Sequence, residues 1–234
     1  VVLHPRATRK SEVSLSDCVG ARIDSVNRRG KFLWFTLENN RAIVGHLGMS
    51  GQMLVQKTSD PISSHARVLI RFAGSFNEFR FIDQRTFGWL SVDTLVDSEF
   101  GPIPESCAHI APDPFDEQFD LDAAIERLAN RNTEIKRALL NQEIISGIGN
   151  IYANEILFSA RIKPNKIASK LTLVDIDRLY SSIGKVLKRA LKLGGSSIKD
   201  FKSSVGLKGR FQNEFKVYDR RDLKCLRSGC SGLI

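Results

Sequence analysis

Apolar residues change their spacing once along this chain, and that change most constrains the fold. Over residues 22–92, short alternating or apolar runs are separated by Gly, Asn and Asp, which is typical of antiparallel strands. Beyond residue 115 the apolar positions recur at helical spacing, and the longest predicted helix covers about residues 172–193. The predicted strands include KFLWFTL from Lys31, RAIVGHL from Arg41, RVLIRF from Arg67 and FRFID from Phe79. The predicted fold class is α+β, with an antiparallel β half followed by a helical half.

Four prolines lie between residues 100 and 115, where the spacing changes. Each proline lacks a backbone donor, so the segment cannot continue a strand or a helix for long. We therefore predict that it links two domains. Beyond this segment, Thr133 is a candidate N-cap for a helix that contains Ile135, Leu139 and Leu140.

The net charge of +9 is distributed unevenly along the chain. Residues 1–126 carry 13 basic and 17 acidic side chains, whereas residues 127–234 carry 22 and 9, a net charge of +13. A basic surface of this kind suits a polyanion such as nucleic acid. A solvated surface with no acidic partner is the alternative that charge alone leaves open.

Composition excludes several classes of protein. With 42% apolar and 26% charged residues, the chain has the composition of a globular protein rather than a disordered or fibrous one. Its apolar runs fall short of the roughly 18 residues of a membrane span, and its start, VVLHPRATRK, lacks the pattern of a signal peptide. Four scattered cysteines do not form a disulfide framework. We expect a protein of the cytoplasm without a membrane partner.

The segment SGIGNIYANEILF, residues 146–158, combines glycines with a polar amide in a predicted turn between two helices. Backbone amides at the start of the second helix can bind a phosphate there. Gly147 and Gly149 allow a close approach of the backbone, and Asn150 adds a side-chain donor. An ordinary glycine-rich connection between helices has the same pattern, so the turn alone does not separate the two interpretations.

Taken with other segments, this one resembles the formamidopyrimidine-DNA glycosylase family, which are bacterial base-excision repair enzymes. ISGIGNIYANEILF is similar to the helix-two-turns-helix signature of that family. The other similar segments follow the family's order and are HLGMSGQ from His46, DQRTFG from Asp83, PDP from Pro112, GGSSIKDF from Gly194 and FQNEFKVYDR from Phe211. The sequence GNIYANE resembles that of the family branch that acts on 8-oxoguanine and formamidopyrimidines, rather than that of the branch that prefers oxidised pyrimidines.

The resemblance implies a domain order and an activity. We expect an antiparallel β-sandwich domain over residues 1–110, a helix-two-turns-helix domain over residues 111–212 and the start of a zinc-finger hairpin over residues 213–234. The implied enzyme removes oxidised purines from duplex DNA and nicks the strand at abasic sites. It is expected to act as a monomer in the bacterial cytoplasm, associated with the nucleoid.

The resemblance also assigns roles to individual residues. Met49, Arg85 and Phe87 would fill the gap left by an extruded base and hold its orphaned partner. Packing in the core is the alternative for Met49 and Phe87. Lys31, at the start of a predicted strand, would bind the phosphate near the lesion and assist the elimination that nicks the strand. A solvated charge at a strand edge is the alternative for Lys31. The implied DNA contacts are His65, Arg85, Arg131, Asn150, Gly147 and Gly149.

Cys225 and Cys230 lie in the basic tail as CLRSGC, and the resemblance implies that they bind one structural zinc ion. Two thiolates do not complete a tetrahedral site. In the family a second cysteine pair lies just downstream, so the other two ligands would lie outside this sequence. A pair of thiols without metal is the alternative.

The sequence departs from the family pattern at its start. The family's nucleophile is the amine of an N-terminal proline followed by a glutamate, whereas this sequence begins VVLHPR. The nitrogen of Pro5 is locked in a peptide bond, so we expect that the printed residues cannot form the Schiff base. The alignment implies that residues are missing at both ends. Asp219 is a smaller departure, since the family commonly has glycine there.

Three functions remain open at this stage. The first is a DNA glycosylase with lyase activity. The second is a non-catalytic homologue or fragment that binds damaged DNA. The third is RNA binding by the helical half, since helix-two-turns-helix segments also occur in ribosomal proteins.

Overall fold

The computed structural model describes residues 1–99, 101–197 and 208–234. Of these, residues 1–99, 101–109 and 208 fall in one compact unit, and residues 110–197 and 209–234 fall in a second. We call them the β unit and the helical unit. The division after residue 109 lies inside the predicted linker. Phe100 and the second half of GGSSIKDF lie outside the described residues.

The β unit contains two antiparallel sheets. One sheet has the strand order β1-β2-β3-β7-β8 and the other has the order β4-β6-β5. The strands are β1 (Ile23–Arg29), β2 (Phe32–Leu37), β3 (Arg41–His46), β4 (Gln52–Lys57), β5 (Ala66–Arg71), β6 (Asn77–Ile82), β7 (Trp89–Val96) and β8 (Ile103–Pro104). Short 3-10 helices cover Pro5–Thr8, Leu15–Cys18 and Glu105–Cys107. The predicted β half is confirmed.

The two sheets pack face to face through apolar side chains. Phe35 of β2 meets Phe79 of β6 edge to face, with ring centroids 5.2 Å apart. Val68, Phe81 and Leu90 are buried in the same core. Alternation along each strand sends these side chains to one face, so the strand pattern in the sequence also specifies the sandwich.

The first part of the proline-rich segment is not a linker, contrary to our prediction. Ile103 and Pro104 form β8, which pairs with the end of β7. Cys107 is fully buried with Trp34 on the outer face of the five-stranded sheet. Proline is tolerated in β8 because this short strand is at a sheet edge, where a missing donor costs little.

The larger of two core clusters in the described part of the helical unit is formed by residues of its helices and of the turns between them. Its α-helices are α1 (Leu121–Ala129), α2 (Ile135–Leu140), α3 (Asn150–Ala160) and α4 (Leu173–Lys192), and its 3-10 helices are Ala168–Lys170 and Phe211–Glu214. The buried residues include Ile148, Ile156, Leu179 and Ile183. The predicted helical half is confirmed, including its longest helix. None of the helices in the described ranges is long and apolar enough to cross a membrane.

The helix starts follow different rules. Thr172 caps α4 in a capping box with Asp175, at the position where this helix was predicted to begin. Thr133 does not cap α2, because Glu134 is the N-cap and makes no side-chain cap bond. The N–H groups of Ile135 and Lys136 instead donate to the carbonyls of residues 166 and 164. Carbonyl groups of a neighbouring chain segment therefore accept the hydrogen bonds of the first N–H groups of α2. The sequence around Thr133 does not indicate these partners.

Candidate nucleic-acid interface

Two loops of the β unit pass between its sheets at the same end of the sandwich. Residues 47–51 connect β3 to β4, and residues 83–88 connect β6 to β7. His46 pairs with Trp89 in one sheet, and Gln52 pairs with Ile82 in the other. The loops are therefore neighbours although they are far apart in sequence. We call them the crossover loops.

A buried carboxylate joins the crossover loops. Asp83 is fully buried and accepts a hydrogen bond from the Ser50 hydroxyl at 2.6 Å. It also accepts from the backbone N–H groups of Gly88 at 2.7 Å and Arg85 at 3.2 Å. A carboxylate with three donors is strongly held, and it fixes both loops at their base.

Glycine is required where the loops touch. Gly48 has φ +60°, and a Cβ there would lie 2.6 Å from the backbone nitrogen of Gly88. The next side chain, Met49, is 67% exposed, and Phe87 in the other loop is 49% exposed. The Arg85 guanidinium lies 4.8 Å from the centroid of the Phe87 ring. The structure brings these three side chains to one end of the sandwich and excludes core packing for Met49 and Phe87.

Arg9 is a residue of this end that the sequence patterns did not reveal. Its guanidinium donates to the carbonyl oxygens of Phe87 at 2.8 Å, Gly88 at 3.1 Å and Thr86 at 3.3 Å. It also donates to the carbonyl of Arg6 at 2.6 Å. One side chain thus ties the second crossover loop to the 3-10 helix near the start of the chain. An arginine among many basic residues gives no sequence signal for such a role.

Lys31 lies in the two-residue turn between β1 and β2, so the strand that we predicted to start at Lys31 begins one position later, at Phe32. The turn is tight because Gly30 has φ +57°. Although the residue is exposed, partial desolvation lowers the pKa of Lys31 below its ordinary value. A lysine in this state releases its proton more readily than a fully solvated one.

His46 is a second residue that our site prediction did not include, although it opens the HLGMSGQ segment. Its Nδ1 accepts a hydrogen bond from the backbone N–H of Gly48 at 3.0 Å, and its ring stacks on Trp89. Burial, followed by the positive charge of Lys31, lowers the pKa of His46. The neutral imidazole thereby supports the loop that carries Met49.

His65 lies at the base of the second crossover loop. It is half-buried, and its carbonyl accepts a hydrogen bond from the N–H of Asp83 at 2.9 Å. The Arg67 side chain donates to the carbonyl of Asp83 at 2.8 Å. The predicted contact residue His65 is therefore attached to the same loop as Arg85.

In the helical unit, residues 141–149 form the turns between α2 and α3, as predicted. The Gln142 side chain accepts from the N–H of Gly147 at 3.0 Å and donates to the carbonyls of Leu140 and Ile148. The N–H of Gly147 is thus used within the turn, so it is not among the amides that could bind a phosphate at the start of α3. Gly147 has φ +83°, and a Cβ there would lie 2.9 Å from Asp113. Glycine is needed at this position for conformation and space.

Of the other predicted contacts of the helical unit, Asn150 and Arg131 are exposed and Gly149 is half-buried. Gly149 is the extended N-cap of α3, and Asn150 is its exposed first residue. Arg131 is also exposed and lies 3.7 Å from the Glu143 carboxylate. Because this exposed ion pair is weak, a phosphate can replace Glu143 as the partner of Arg131.

Buried Glu155 of α3 anchors the C-terminal segment. Its carboxylate accepts from the backbone N–H groups of Lys216, Val217 and Tyr218 at 2.9 to 3.0 Å. Arg227 donates to the carbonyl of Phe158 at 2.7 Å, and its guanidinium lies 4.4 Å from the centroid of that ring. These contacts between distant residues gave no signal in the sequence.

Cys225 and Cys230 lie in a hairpin loop that is closed by an isolated bridge between Lys224 and Leu233. The Gly232 N–H, followed by the Cys225 thiol, lowers the pKa of Cys230. The two thiols are therefore neighbours. Within residues 1–99, 101–197 and 208–234, no group of three or more His, Cys, Asp or Glu side chains could hold a metal ion.

Just before the hairpin, Asp219 has φ +57°, which explains why glycine suits its position.

Family comparisons give one result for both units. The Formamidopyrimidine-DNA glycosylase N-terminal domain matches residues 1–90, and the Formamidopyrimidine-DNA glycosylase H2TH domain matches residues 110–202. The formamidopyrimidine-DNA glycosylases of Rhodococcus jostii and Rhodococcus erythropolis are 42% and 43% identical to the chain. The alignments cover 97% of the chain and 80% and 81% of the two relatives.

Solved structures are similar over almost the whole chain. One is the Lactococcus lactis Fpg in complex with an abasic site containing DNA, with a TM-score of 0.79 and 30% identity. Another is the Lactococcus lactis protein in complex with a Fapy-dG containing DNA, with the same TM-score and identity. In both cases the likeness covers 99% of the chain and 83% of the solved chain.

Proposed function

This chain belongs to the formamidopyrimidine-DNA glycosylase family, and on that premise we propose that it is a base-excision repair glycosylase acting on oxidised purines in duplex DNA. The observation that carries the proposal is the exposure of Met49, Arg85 and Phe87 on adjoining crossover loops. An unbranched apolar chain, a planar cation and an aromatic ring suit the space that an extruded base leaves behind.

The rigidity of the crossover loops supports this role. A glycosylase reaches the glycosidic bond only after the nucleotide has left the stack, and unstacking costs a few kcal/mol. Met49 would fill the gap, Phe87 would pack against the adjoining bases, and Arg85 would donate to the orphaned base. Because Asp83 already fixes both loops, little binding energy is lost in ordering them.

Four residues are proposed to contact the DNA backbone. Lys31 and His65 would do so from the β unit, and Asn150 and Arg131 from the helical unit. The lowered pKa of Lys31 suits a further role, because an amine that releases its proton readily can act as a base in the elimination that nicks the strand. Gly147 and Gly149 would shape the turn that presents Asn150.

Cys225 and Cys230 are proposed to supply two of the four ligands of a structural zinc ion. Their neighbouring thiols and the lowered pKa of Cys230 fit thiolate ligation, but two sulfurs do not close a tetrahedral site. The remaining ligands would have to come from outside the described residues. Zinc analysis of the purified protein, with Cys225→Ser as the comparison, tests this: equal zinc content in both would contradict the assignment.

Competition binding tests the proposed function most directly. We would compare duplexes that carry 8-oxoguanine opposite cytosine, an abasic analogue, or no lesion, and follow release of the damaged base in parallel. Phe87→Ala should weaken binding to the damaged duplexes about tenfold, because one base-aromatic stacking contact is worth about 1–3 kcal/mol. Phe76→Ala is the matched control, since Phe76 is 87% exposed in the turn between β5 and β6, outside the crossover loops.

The outcomes are distinct. The proposal is supported if the wild-type protein and Phe76→Ala bind the damaged duplexes preferentially and Phe87→Ala does not. Equal affinity for damaged and undamaged duplexes would overturn it. Selective binding without base release would identify a binding protein rather than an enzyme.

A further inference from the structure

The second crossover loop is held from two sides by opposite charges. On one side, Asp83 accepts from the N–H groups of Arg85 and Gly88. On the other, the Arg9 guanidinium donates to the carbonyls of Thr86, Phe87 and Gly88. The Asp83 carboxylate thus holds two backbone donors of the loop, and the Arg9 guanidinium holds three of its backbone acceptors.

This arrangement holds a backbone conformation that the loop would not adopt alone. Thr86, between Arg85 and Phe87, has φ +54°. A β-branched residue in the left-handed region is strained, and such strain persists only where the surroundings enforce it. Three successive carbonyls meeting one guanidinium provide that enforcement. The planar fork of arginine suits several carbonyls at once, whereas the ammonium of lysine does not.

We propose that Arg9 is a positioning residue that determines which base the protein accepts opposite the lesion. It would act through Arg85 and Phe87, whose direction depends on the backbone that Arg9 holds. Side-chain recognition of a base edge depends on geometry, so a small rotation of this loop changes the donors presented to the partner base. The inference rests on the proposed function, because it assumes that this loop meets the base opposite the damage.

The experiment measures a ratio rather than a single affinity. Duplexes with an abasic analogue opposite cytosine, adenine, guanine or thymine are titrated with the wild-type protein, Arg9→Gln and Arg9→Lys. A purely structural defect lowers the active fraction equally for every duplex, so it cancels in the ratio of dissociation constants. Arg22→Gln is the matched control, because Arg22 is an exposed arginine of the same unit, paired with Asp24 and Glu38.

We expect the cytosine-to-adenine ratio to change about fivefold in both Arg9 variants, the lower end of what one good bidentate base contact provides. Arg22→Gln should leave it unchanged. The inference about Arg9 is overturned if Arg9→Gln keeps the wild-type ratio, or if the wild-type protein shows no preference among partner bases. Neither result affects the proposed function. A wild-type protein that binds damaged and undamaged duplexes equally would overturn the proposed function as well. A ratio that changes in Arg9→Gln but not in Arg9→Lys would show that the charge of Arg9, and not its planar guanidinium, is responsible. That result would also overturn the inference about Arg9.

Discussion

At the scale of single residues, the proposed interface depends on side chains that would not touch DNA. Met49, Arg85 and Phe87 are exposed, but their placement depends on buried Asp83 and on Arg9. Exposed groups are held accurately only when the residues beneath them are fixed. Of these two residues, buried Asp83 should tolerate substitution less well, since its carboxylate accepts three hydrogen bonds within the protein.

Asp83→Asn should therefore be strongly destabilising. The amide has the shape of the carboxylate, but its NH2 group faces donors, so at least one buried N–H or hydroxyl loses its acceptor. We expect a decrease of about 3 kcal/mol in the free energy of unfolding, measured in urea. Asp24→Asn, at an exposed aspartate, is the control. A loss no larger than that of the control would show that Asp83 does not hold the loops.

At the scale of elements, α4 shows how local and distant contacts combine at one helix end. Asp175 closes the capping box with Thr172, which the sequence encodes locally. It also accepts from Lys166, which precedes the helix, and from Arg178 one turn later. The hydrogen bond from Lys166, followed by those from Thr172 and Arg178, holds the pKa of Asp175 well below its usual range.

The lowered pKa predicts a pH dependence of stability. The ionised form of Asp175 is preferred by the folded state, so its contribution is fully present above the ordinary aspartate pKa of about 3.9 and is lost as the pH falls towards the lower folded value. Asp175→Asn should cost about 2 kcal/mol at neutral pH, and the difference from wild type should shrink below about pH 4.

Urea unfolding at several pH values measures this difference. Asp177→Asn is the control, because Asp177 is exposed on the same helix turn. A difference that stays constant from pH 7 to pH 3 would contradict the assigned role of the charge.

At the scale of the whole molecule, the basic charge does not follow the two units, because residues 110–126 of the helical unit carry six acidic and no basic side chains. Residues 127–234 carry a net charge of +13, which suits a phosphate-binding surface. Such a surface binds phosphates of any sequence, whereas the crossover loops of the β unit carry the groups suited to a gap in the duplex. Affinity and lesion preference should therefore respond differently to salt.

This difference can be measured in one titration series. Affinity for any duplex should fall steeply between 50 and 200 mM salt, by about a thousandfold if six phosphates are neutralised. The preference for a damaged over an undamaged duplex should change far less, because both duplexes present the same phosphates. Lys31→Ala should reduce the slope of log K against log salt by about one. If the preference for the damaged duplex falls in step with the affinity as salt rises, this separation of roles between the basic surface and the crossover loops is contradicted.

Much of the fold could be predicted from the sequence because its signals are local. Alternation predicted the strands from Lys31, Arg41, Arg67 and Phe79, and helical spacing predicted α4. The first part of the proline-rich segment was wrongly assigned to the linker, because the two residues of β8 are too few to give an alternating pattern. Thr133 failed as a cap because carbonyls of residues 164 and 166, outside the local sequence, satisfy the start of α2.

The sequence by itself determined the order of a β half and a helical half and the family resemblance, and that resemblance proposes Met49, Arg85 and Phe87 as site residues. Only the tertiary structure decided how those residues are held. Arg9 and Phe87 are 78 positions apart, Ser50 and Asp83 are 33 apart, and Gly147 gives its N–H to Gln142 rather than to solvent. Periodicity and motifs report contacts within an element, whereas a hydrogen bond between two loops leaves no regular spacing in the chain.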